Sequence, residues 1–286
     1  MSVVNIILLA IVQGFAELLP VSSSAHVVVA EKLLGLDPSS PPMTLLLVML
    51  HTGTMFAVIV FFWRRWRVSY FQNAGAFKAT AGRVIVATVL TAVIGEIIIK
   101  IIEKTAFRDV PHAQIEDLFS HLEFIAPALA AAGILILLAG LIERRKTARA
   151  LNETTDVTMK QAGVIGAVQG LCLPFRGFSR SGATISAGML LGAAKARAED
   201  FSFALAVVLT PPVVLREVMR LKQANGGAAL GSVAFLTLLG ALVAFVAGLL
   251  ALKWLSRWLE TGRWYLFGIY CLVAAAAVAF LYHSGY

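Results

Sequence analysis

Two stretches with polar residues inside apolar runs decide the fold of this chain: "VQGFAELLPVSSSAH", Val12 to His26, and "VQGLCLPFRGFSRSGAT", Val168 to Thr184. Each begins like a membrane helix and then carries proline, serines and charged side chains. At membrane depth, irregular backbone is tolerated only where it lines a cavity or is buried in protein. We therefore interpret each stretch as a helix break that forms one wall of a shared cavity.

The composition is that of a polytopic membrane protein. Of the 286 residues, 59% are hydrophobic and only 14% are charged, whereas soluble domains carry about 25% charged residues. The net charge of +8 indicates basic loops and anionic lipid rather than nucleic acid, for which the chain has no basic motif. No lysine or arginine precedes Lys32, so we expect no cleaved signal peptide.

Six stretches have roughly the 20 apolar residues that a membrane-spanning helix needs: residues 43–63, 84–102, 124–142, 201–220, 229–252 and 265–282. Residues 3–35 and 161–194 are also apolar, but the two polar stretches interrupt them. Each of their halves has roughly 12–17 residues, too few to cross the bilayer alone. We therefore predict that each is a re-entrant hairpin of two half-helices.

The distribution of lysine and arginine predicts the sidedness. Residues 64–83 hold five basic residues and no acidic one, and residues 143–160 and 253–263 also have a basic excess, so these segments are predicted to be cytoplasmic. Residues 103–123 hold five acidic residues against two basic ones and are predicted to lie outside. This sidedness requires both broken segments to return to the side from which they entered.

The chain is therefore predicted to be an all-α polytopic membrane protein with an inverted-topology repeat, in which each half is one re-entrant helix hairpin plus three transmembrane helices. The halves are approximately residues 1–150 and 151–286 of a single membrane domain. One basic cluster then falls on the outer side, against the charge rule: Arg216, Arg220 and Lys222. It either attracts an anionic substrate to the mouth of the site or forms a collar at the lipid headgroups.

The first break combines a carboxylate, hydroxyl groups and an imidazole. Gln13 and Glu17 are four residues apart and share one helix face, and a carboxylate inside a membrane is a functional candidate because it is costly to place there. His26 follows Ser23 by three residues, so its ring can reach a serine hydroxyl or a ligand at the start of the next helix. The alternatives are a structural acceptor for the amides of the serine turn and a core histidine.

The second break has the composition of an anion site. Its glycines free the backbone, Arg180 offers a planar guanidinium, and hydroxyl groups come from Ser179, Ser181 and Thr184. Backbone amides at a helix N-terminus together with an arginine bind phosphate well. The alternative is a helix cap whose arginine pairs with Glu17. His51, in "HTGT", either faces the same cavity or packs in the core.

Together these groups suit phosphoryl transfer. Arginine and backbone amides stabilise charge on the phosphate oxygens, and a serine or a histidine can attack phosphorus or activate water. A carboxylate can hold a divalent cation or transfer protons. Because the site lies at membrane depth, a substrate with a phosphate head and an apolar tail fits it.

At these residues the chain resembles the bacterial undecaprenyl-pyrophosphate phosphatase family, which is linked to bacitracin resistance, and the resemblance covers essentially the whole chain. One family motif is matched by Gln13, Glu17, Leu19-Pro20, Ser22-Ser23 and His26, and the other by Gly177, Ser179-Arg180-Ser181-Gly182 and Thr184. Two positions depart from the usual pattern. Gln13 stands where many members have glutamate, and Arg176 stands where a proline usually precedes the glycine.

The resemblance implies an integral phosphatase of the bacterial inner membrane that removes the terminal phosphate of undecaprenyl pyrophosphate and so recycles the lipid carrier for cell-wall synthesis. It implies an active site open to the periplasm and a divalent cation, Mg²⁺ or Ca²⁺, held by Glu17 and Gln13. The catalytic residues would be Glu17, Ser23, His26 and Arg180, with Ser23 or His26 as the nucleophile. The residues that bind the substrate phosphates would be Ser22, Arg176, Ser179, Arg180, Ser181 and Thr184.

Two other functions fit parts of this pattern. A flippase or transporter of a phosphorylated polyprenyl lipid fits the inverted repeat and broken helices equally well, but it needs no nucleophile. A general phosphatidic acid phosphatase fits less well, because the K-x6-R-P type of signature is absent. The expected partners are therefore a polyprenyl pyrophosphate and membrane lipids, with no nucleic acid. The sequence leaves a homodimer open.

Overall fold

The computed structural model describes residues 2–37, 40–106, 122–147, 156–225, 228–259 and 262–285. Within these residues the protein is all-helical, with ten α-helices and no β-strand, so the predicted all-α class is confirmed. The helices are α1 (Val3–Leu18), α2 (Ser23–Leu33), α3 (Pro41–Ser69), α4 (Ala74–Ala106), α5 (Leu122–Thr147), α6 (Met159–Cys172), α7 (Arg180–Leu190), α8 (Lys195–Asn225), α9 (Ala228–Leu259) and α10 (Tyr265–His283).

Six of these helices are long and apolar enough to cross a membrane: α3, α4, α5, α8, α9 and α10. They coincide with the six apolar stretches of the sequence and identify the chain as a multi-pass membrane protein. On α4, large apolar side chains are exposed at a spacing of four residues, namely Ile85, Val89, Val93, Ile97 and Ile101. An apolar stripe of this length is suited to lipid rather than to water.

Several helices extend well beyond their apolar stretches. α3 continues through its basic end to Ser69, and α4 begins at Ala74, so most of residues 64–83 is helical rather than loop. Lysine and arginine favour the helix about as well as leucine does, so a helix need not end where its apolar stretch ends. The turn between α3 and α4 is closed by Asn73, whose side-chain oxygen accepts the amide hydrogen of Ala76 at 2.8 Å.

Both polar stretches break the helical backbone. Between α1 and α2 the chain turns at Pro20, which has no amide hydrogen to give to a helix, and at Ser22, which is left-handed with φ of 67°. The turn is shorter than the sequence predicted, because Ser23 already begins α2. Between α6 and α7, Gly177 has φ of 102°, and a side chain there would collide with the carbonyl oxygen of Ile125.

Small residues let the helices approach closely. α1 packs against α9, where a side chain at Gly14 would collide with Ala247, and α6 packs against α4, where a side chain at Gly166 would collide with Ala87. Such contacts are typical of membrane helices, whose association relies on close packing because lipid is as apolar as their surfaces. α1 and α2 contact each other, as do α6 and α7, while α3 and α8 pack together beside both breaks.

Candidate active site

The Glu17 carboxylate is the centre of the polar contacts between the two breaks. Its side chain is 12% exposed, and Arg180 Nη2 donates to its Oε1 at 2.6 Å. On the other oxygen, Oε2, Ser23 Oγ donates at 2.5 Å and Gln13 Nε2 donates at 3.1 Å. A carboxylate this deeply buried is tolerated only with such partners. The structure thus brings three of the predicted catalytic residues together with a predicted metal ligand.

Turn residues also join the two breaks. Ser181 Oγ donates to the Leu19 carbonyl at 3.4 Å, and the Gly177 amide donates to Ser24 Oγ at 3.4 Å. The breaks therefore contact each other through hydrogen bonds between serine hydroxyls and backbone groups as well as through the ion pair of Glu17 and Arg180. That ion pair is the arrangement that the sequence left as an alternative to phosphate binding.

Two hydroxyl groups predicted to bind phosphate support the start of α7. Ser179 caps the helix, where its Oγ accepts the amide hydrogen of Gly182 at 3.2 Å. Thr184 is fully buried, donates to the Arg180 carbonyl at 2.8 Å and lies 2.6 Å from the Ser202 hydroxyl of α8. Their binding of substrate phosphate therefore stays a prediction.

Two further predicted phosphate ligands, Arg176 and Ser22, differ in their surroundings. Arg176 interacts electrostatically with the carboxylate of Glu31, which is buried near the end of α2. The Ser22 side chain is buried, and its Oγ lies 3.3 Å from Ser24 Oγ. Among the described residues, Ser22 is the one non-glycine residue with positive φ. Strained residues of this kind cluster at functional sites, which favours the first break as such a site.

His26 forms its side-chain hydrogen bonds with residues other than Ser23. Its Nδ1 donates to the Ser22 carbonyl at 2.7 Å, and its Nε2 lies 2.7 Å from the hydroxyl of Tyr270 on α10. The Ser23 hydroxyl is bonded to Glu17 instead. The group positioned to activate the serine is therefore the carboxylate and not the imidazole.

His51 faces the site rather than the core. Its Nδ1 donates to the Leu47 carbonyl at 2.8 Å, and its Nε2 lies 3.4 Å from Glu17 Oε2. Of the two positions that the sequence left open, the structure supports the one at the cavity. His51 thus stands at the carboxylate oxygen that Arg180 does not contact.

A small, partly open cavity adjoins the Glu17 carboxylate. Its lining includes Glu17 and Arg180, together with His51 and Thr54 of α3 and Phe203 and Thr210 of α8. A charged pair set among apolar walls suits an amphipathic ligand. His26 is not part of this lining.

The sequence did not point to Tyr270 or to the walls that α3 and α8 contribute. The cavity-lining residues of these helices belong to ordinary apolar stretches, and only "HTGT" distinguished one face of α3. No local pattern singles out Tyr270, which lies 244 residues after His26. These contributions arise from tertiary packing, which composition and spacing do not reveal.

The basic cluster predicted on the outer side is only partly described. Arg216 is exposed near the end of α8. The side chains of Arg220 and Lys222 lie outside the described residues. A role for this cluster at the mouth of the site therefore stays a prediction.

Comparison with known proteins shows the family of the chain. The family model of the bacitracin resistance protein BacA matches residues 6–277. The chain belongs to this family. Among BacA-family relatives, undecaprenyl-diphosphatase 2 of Acinetobacter baylyi is 54% identical over 97% of both chains. Undecaprenyl-diphosphatase 2 of Burkholderia thailandensis is 32% identical over 99% of both chains, and undecaprenyl-diphosphatase of Desulfosudis oleivorans is 34% identical over 93% of this chain and 94% of its own.

Proposed function

We propose that this protein is an undecaprenyl-diphosphatase, which hydrolyses undecaprenyl diphosphate to undecaprenyl phosphate and inorganic phosphate. The observation that carries the proposal is the Glu17 carboxylate, which accepts hydrogen bonds from the Ser23 hydroxyl of the first break and from Arg180 of the second. A hydroxyl held by a carboxylate, beside an arginine at the start of a helix, suits phosphoryl transfer. The BacA-family relatives carry the name of the same activity.

Arg180 and the first two amides of α7, those of Arg180 and Ser181, bind the terminal phosphate in this proposal. The first amides of a helix have no intrahelical acceptors, which favours an anion at this end. Arg180 is the first residue of α7 and contacts Glu17 through Nη2, so the rest of its planar guanidinium is available to phosphate oxygens. The same side chain then orients the carboxylate and stabilises the charge that develops on the transferred group.

Ser23 is the nucleophile and Glu17 its base. Glu17 Oε2 takes the hydroxyl proton while Ser23 Oγ bonds to the terminal phosphorus, and the bond from that phosphorus to the bridging oxygen breaks. Undecaprenyl phosphate leaves with the electron pair of that bond. Water then bonds to the phosphorus of the phosphoserine, Glu17 returns its proton to Ser23 Oγ, and phosphate leaves with both hydrogens of the water.

His26 has a positioning role in this proposal, in contrast to the catalytic role expected from the sequence. Neither ring nitrogen is bonded to the Ser23 hydroxyl: Nδ1 donates to the Ser22 carbonyl at 2.7 Å, and Nε2 lies 2.7 Å from the Tyr270 hydroxyl. Ser22 is strained and directly precedes the nucleophile. His26 therefore stabilises the turn that presents Ser23 to Glu17.

A divalent cation fits beside Glu17. Gln13 is fully buried, and its Oε1 has no hydrogen-bond partner, which is costly unless a ligand satisfies it. Among the described residues, no three His, Cys, Asp or Glu side chains are grouped to hold a metal, and Mg²⁺ often takes its remaining ligands from phosphate and water. Glu17 and Gln13 would hold Mg²⁺ or Ca²⁺. When bound, the cation would neutralise part of the charge of the diphosphate.

We further propose that the chain is an inverted repeat that lies in a bacterial inner membrane. Helices α1–α5 and α6–α10 both consist of two short helices followed by three longer ones. The packing of α1 on α9 matches that of α6 on α4, and Gln13 and Gln169 are equivalent buried residues whose Oε1 atoms have no partner. These correspondences support re-entrant hairpins at residues 3–35 and 161–194, and the loop charges support an opening to the periplasm.

The proposal is tested by phosphate release from undecaprenyl diphosphate with the purified protein in detergent. Glu17→Gln keeps the side-chain size but removes the base, so release should fall by about 10²–10⁴-fold. A chelator should stop release by the wild-type protein, and added Mg²⁺ should restore it. Wild-type protein that moves the lipid across vesicles without releasing phosphate would instead be a flippase.

A further inference from the structure

Tyr270 of α10 contacts a residue of the first break, His26. Its hydroxyl lies 2.7 Å from His26 Nε2, and the two rings stack with 5.7 Å between centroids and 10° between planes. Tyr270 is half-exposed as a whole residue. The next residue, Cys271, lies on the same break, with Sγ 3.5 Å from the Pro20 carbonyl. Two consecutive residues of α10 thus support the turn.

The partners of His26 determine the direction of its hydrogen bonds. The Ser22 carbonyl can only accept, so Nδ1 carries the ring hydrogen. Nε2 of the neutral ring is then an acceptor, and the Tyr270 hydroxyl is its donor. Tyr270 therefore favours one tautomer of His26 and, by stacking, one orientation of its ring.

The hydrogen bond between Tyr270 and His26 affects the nucleophile, Ser23, through the strained residue Ser22. A left-handed non-glycine residue persists only where its surroundings hold it in place, and His26 Nδ1 holds the Ser22 carbonyl. We propose that Tyr270 is a positioning residue for the phosphatase reaction, holding His26 so that the Ser22 turn presents Ser23 to Glu17. This inference rests on the proposed function. The Tyr270 hydroxyl contacts His26, whereas Ser23 and Arg180 are bonded to Glu17, so Tyr270 acts through His26.

Tyr270→Phe removes the hydroxyl and keeps the ring. Loss of this hydrogen bond should lower kcat for phosphate release by about five- to tenfold, while KM should change by less than about twofold because the cavity lining is unaltered. Tyr282→Phe is the matched control, since Tyr282 is a half-exposed tyrosine of the same helix whose ring lies 5.4 Å from that of His283. The control should leave both constants unchanged. Equal melting temperatures of the two variants in detergent exclude a general loss of structure.

A second readout does not depend on activity. Diethyl pyrocarbonate modifies the unprotonated nitrogen of a histidine ring. In His26 this nitrogen is Nε2, which accepts the hydrogen bond from the Tyr270 hydroxyl. Tyr270→Phe should therefore speed the modification of His26 several-fold relative to wild type and Tyr282→Phe, as followed by peptide mass spectrometry. An unchanged kcat or an unchanged His26 modification rate overturns the inference. Wild-type protein without phosphate release would overturn the proposed function, whereas the modification rates would still decide whether Tyr270 covers His26.

Discussion

Replacing Arg180 by lysine distinguishes two roles of this side chain: binding of the substrate phosphate, and neutralisation of the Glu17 charge. Arg180 Nη2 lies 2.6 Å from Glu17 Oε1, and the planar guanidinium can at the same time present further N–H groups to a phosphate oxygen. A lysine has a single nitrogen, so it can keep the ion pair but cannot also reproduce the fork. Losing a preorganised donor to the transferred group costs about 2–4 kcal/mol of transition-state stabilisation, which lowers kcat by about 30- to 900-fold.

The assay is phosphate release by purified Arg180→Lys over a range of undecaprenyl diphosphate concentrations. Lysine keeps a positive charge beside the nearly buried Glu17, so this variant should fold, whereas Arg180→Ala should also lower the melting temperature. Arg197→Lys is the matched control, because Arg197 donates to Ser69 Oγ at 2.6 Å and is not part of the cavity lining. If Arg180→Lys keeps more than about a third of wild-type kcat, the guanidinium fork is not needed and the phosphate-binding role is refuted.

Two further predictions concern His51 and the sidedness of the first break. His51 Nδ1 donates to the Leu47 carbonyl, so Nε2 can donate to Glu17 only from the doubly protonated ring. His51→Leu removes this donor and should lower kcat by about ten- to 100-fold, whereas His51→Gln keeps a donor near Glu17 and should retain most activity. Equal kcat values for the two variants would contradict a functional contact across the 3.4 Å between His51 Nε2 and Glu17 Oε2. Ser24→Cys should react with an impermeant maleimide added outside intact cells, with little background because both native cysteines are buried. Labelling only from the cytoplasmic side would contradict the predicted opening to the periplasm.

The features that the sequence predicts well are those that depend on neighbouring residues. Apolar length identifies six spans, and Pro20 and Gly177 disturb the backbone at their own positions. The contact between Glu17 and Arg180 joins residues 163 positions apart. The sequence nevertheless offered this pair as an alternative, because the predicted sidedness makes both broken segments turn back inside the membrane, where their polar turns would meet.

The features that the sequence does not predict depend on the exact path of the chain. A spacing of three residues suggested that Ser23 and His26 interact, but Ser23 is bonded to Glu17 and His26 to Tyr270. Both residues lie in α2, so their spacing is helical, but the turn at the left-handed Ser22 brings Glu17 to the Ser23 hydroxyl and the packing of α10 brings Tyr270 to the His26 ring. Tyr270 is one of many aromatic residues in an apolar helix, and only the packing of α10 on the break gives it a role.

The central claim is that the two breaks form one active site. The most direct test is a double-mutant cycle on kcat/KM for phosphate release, with Ser23→Ala in the first break and Arg180→Ala in the second. A shared site predicts that the double variant loses little more activity than the worse single variant, because both residues act on the same phosphoryl group. Losses in the two single variants that multiply fully in the double variant would contradict a shared site and show that the breaks act independently.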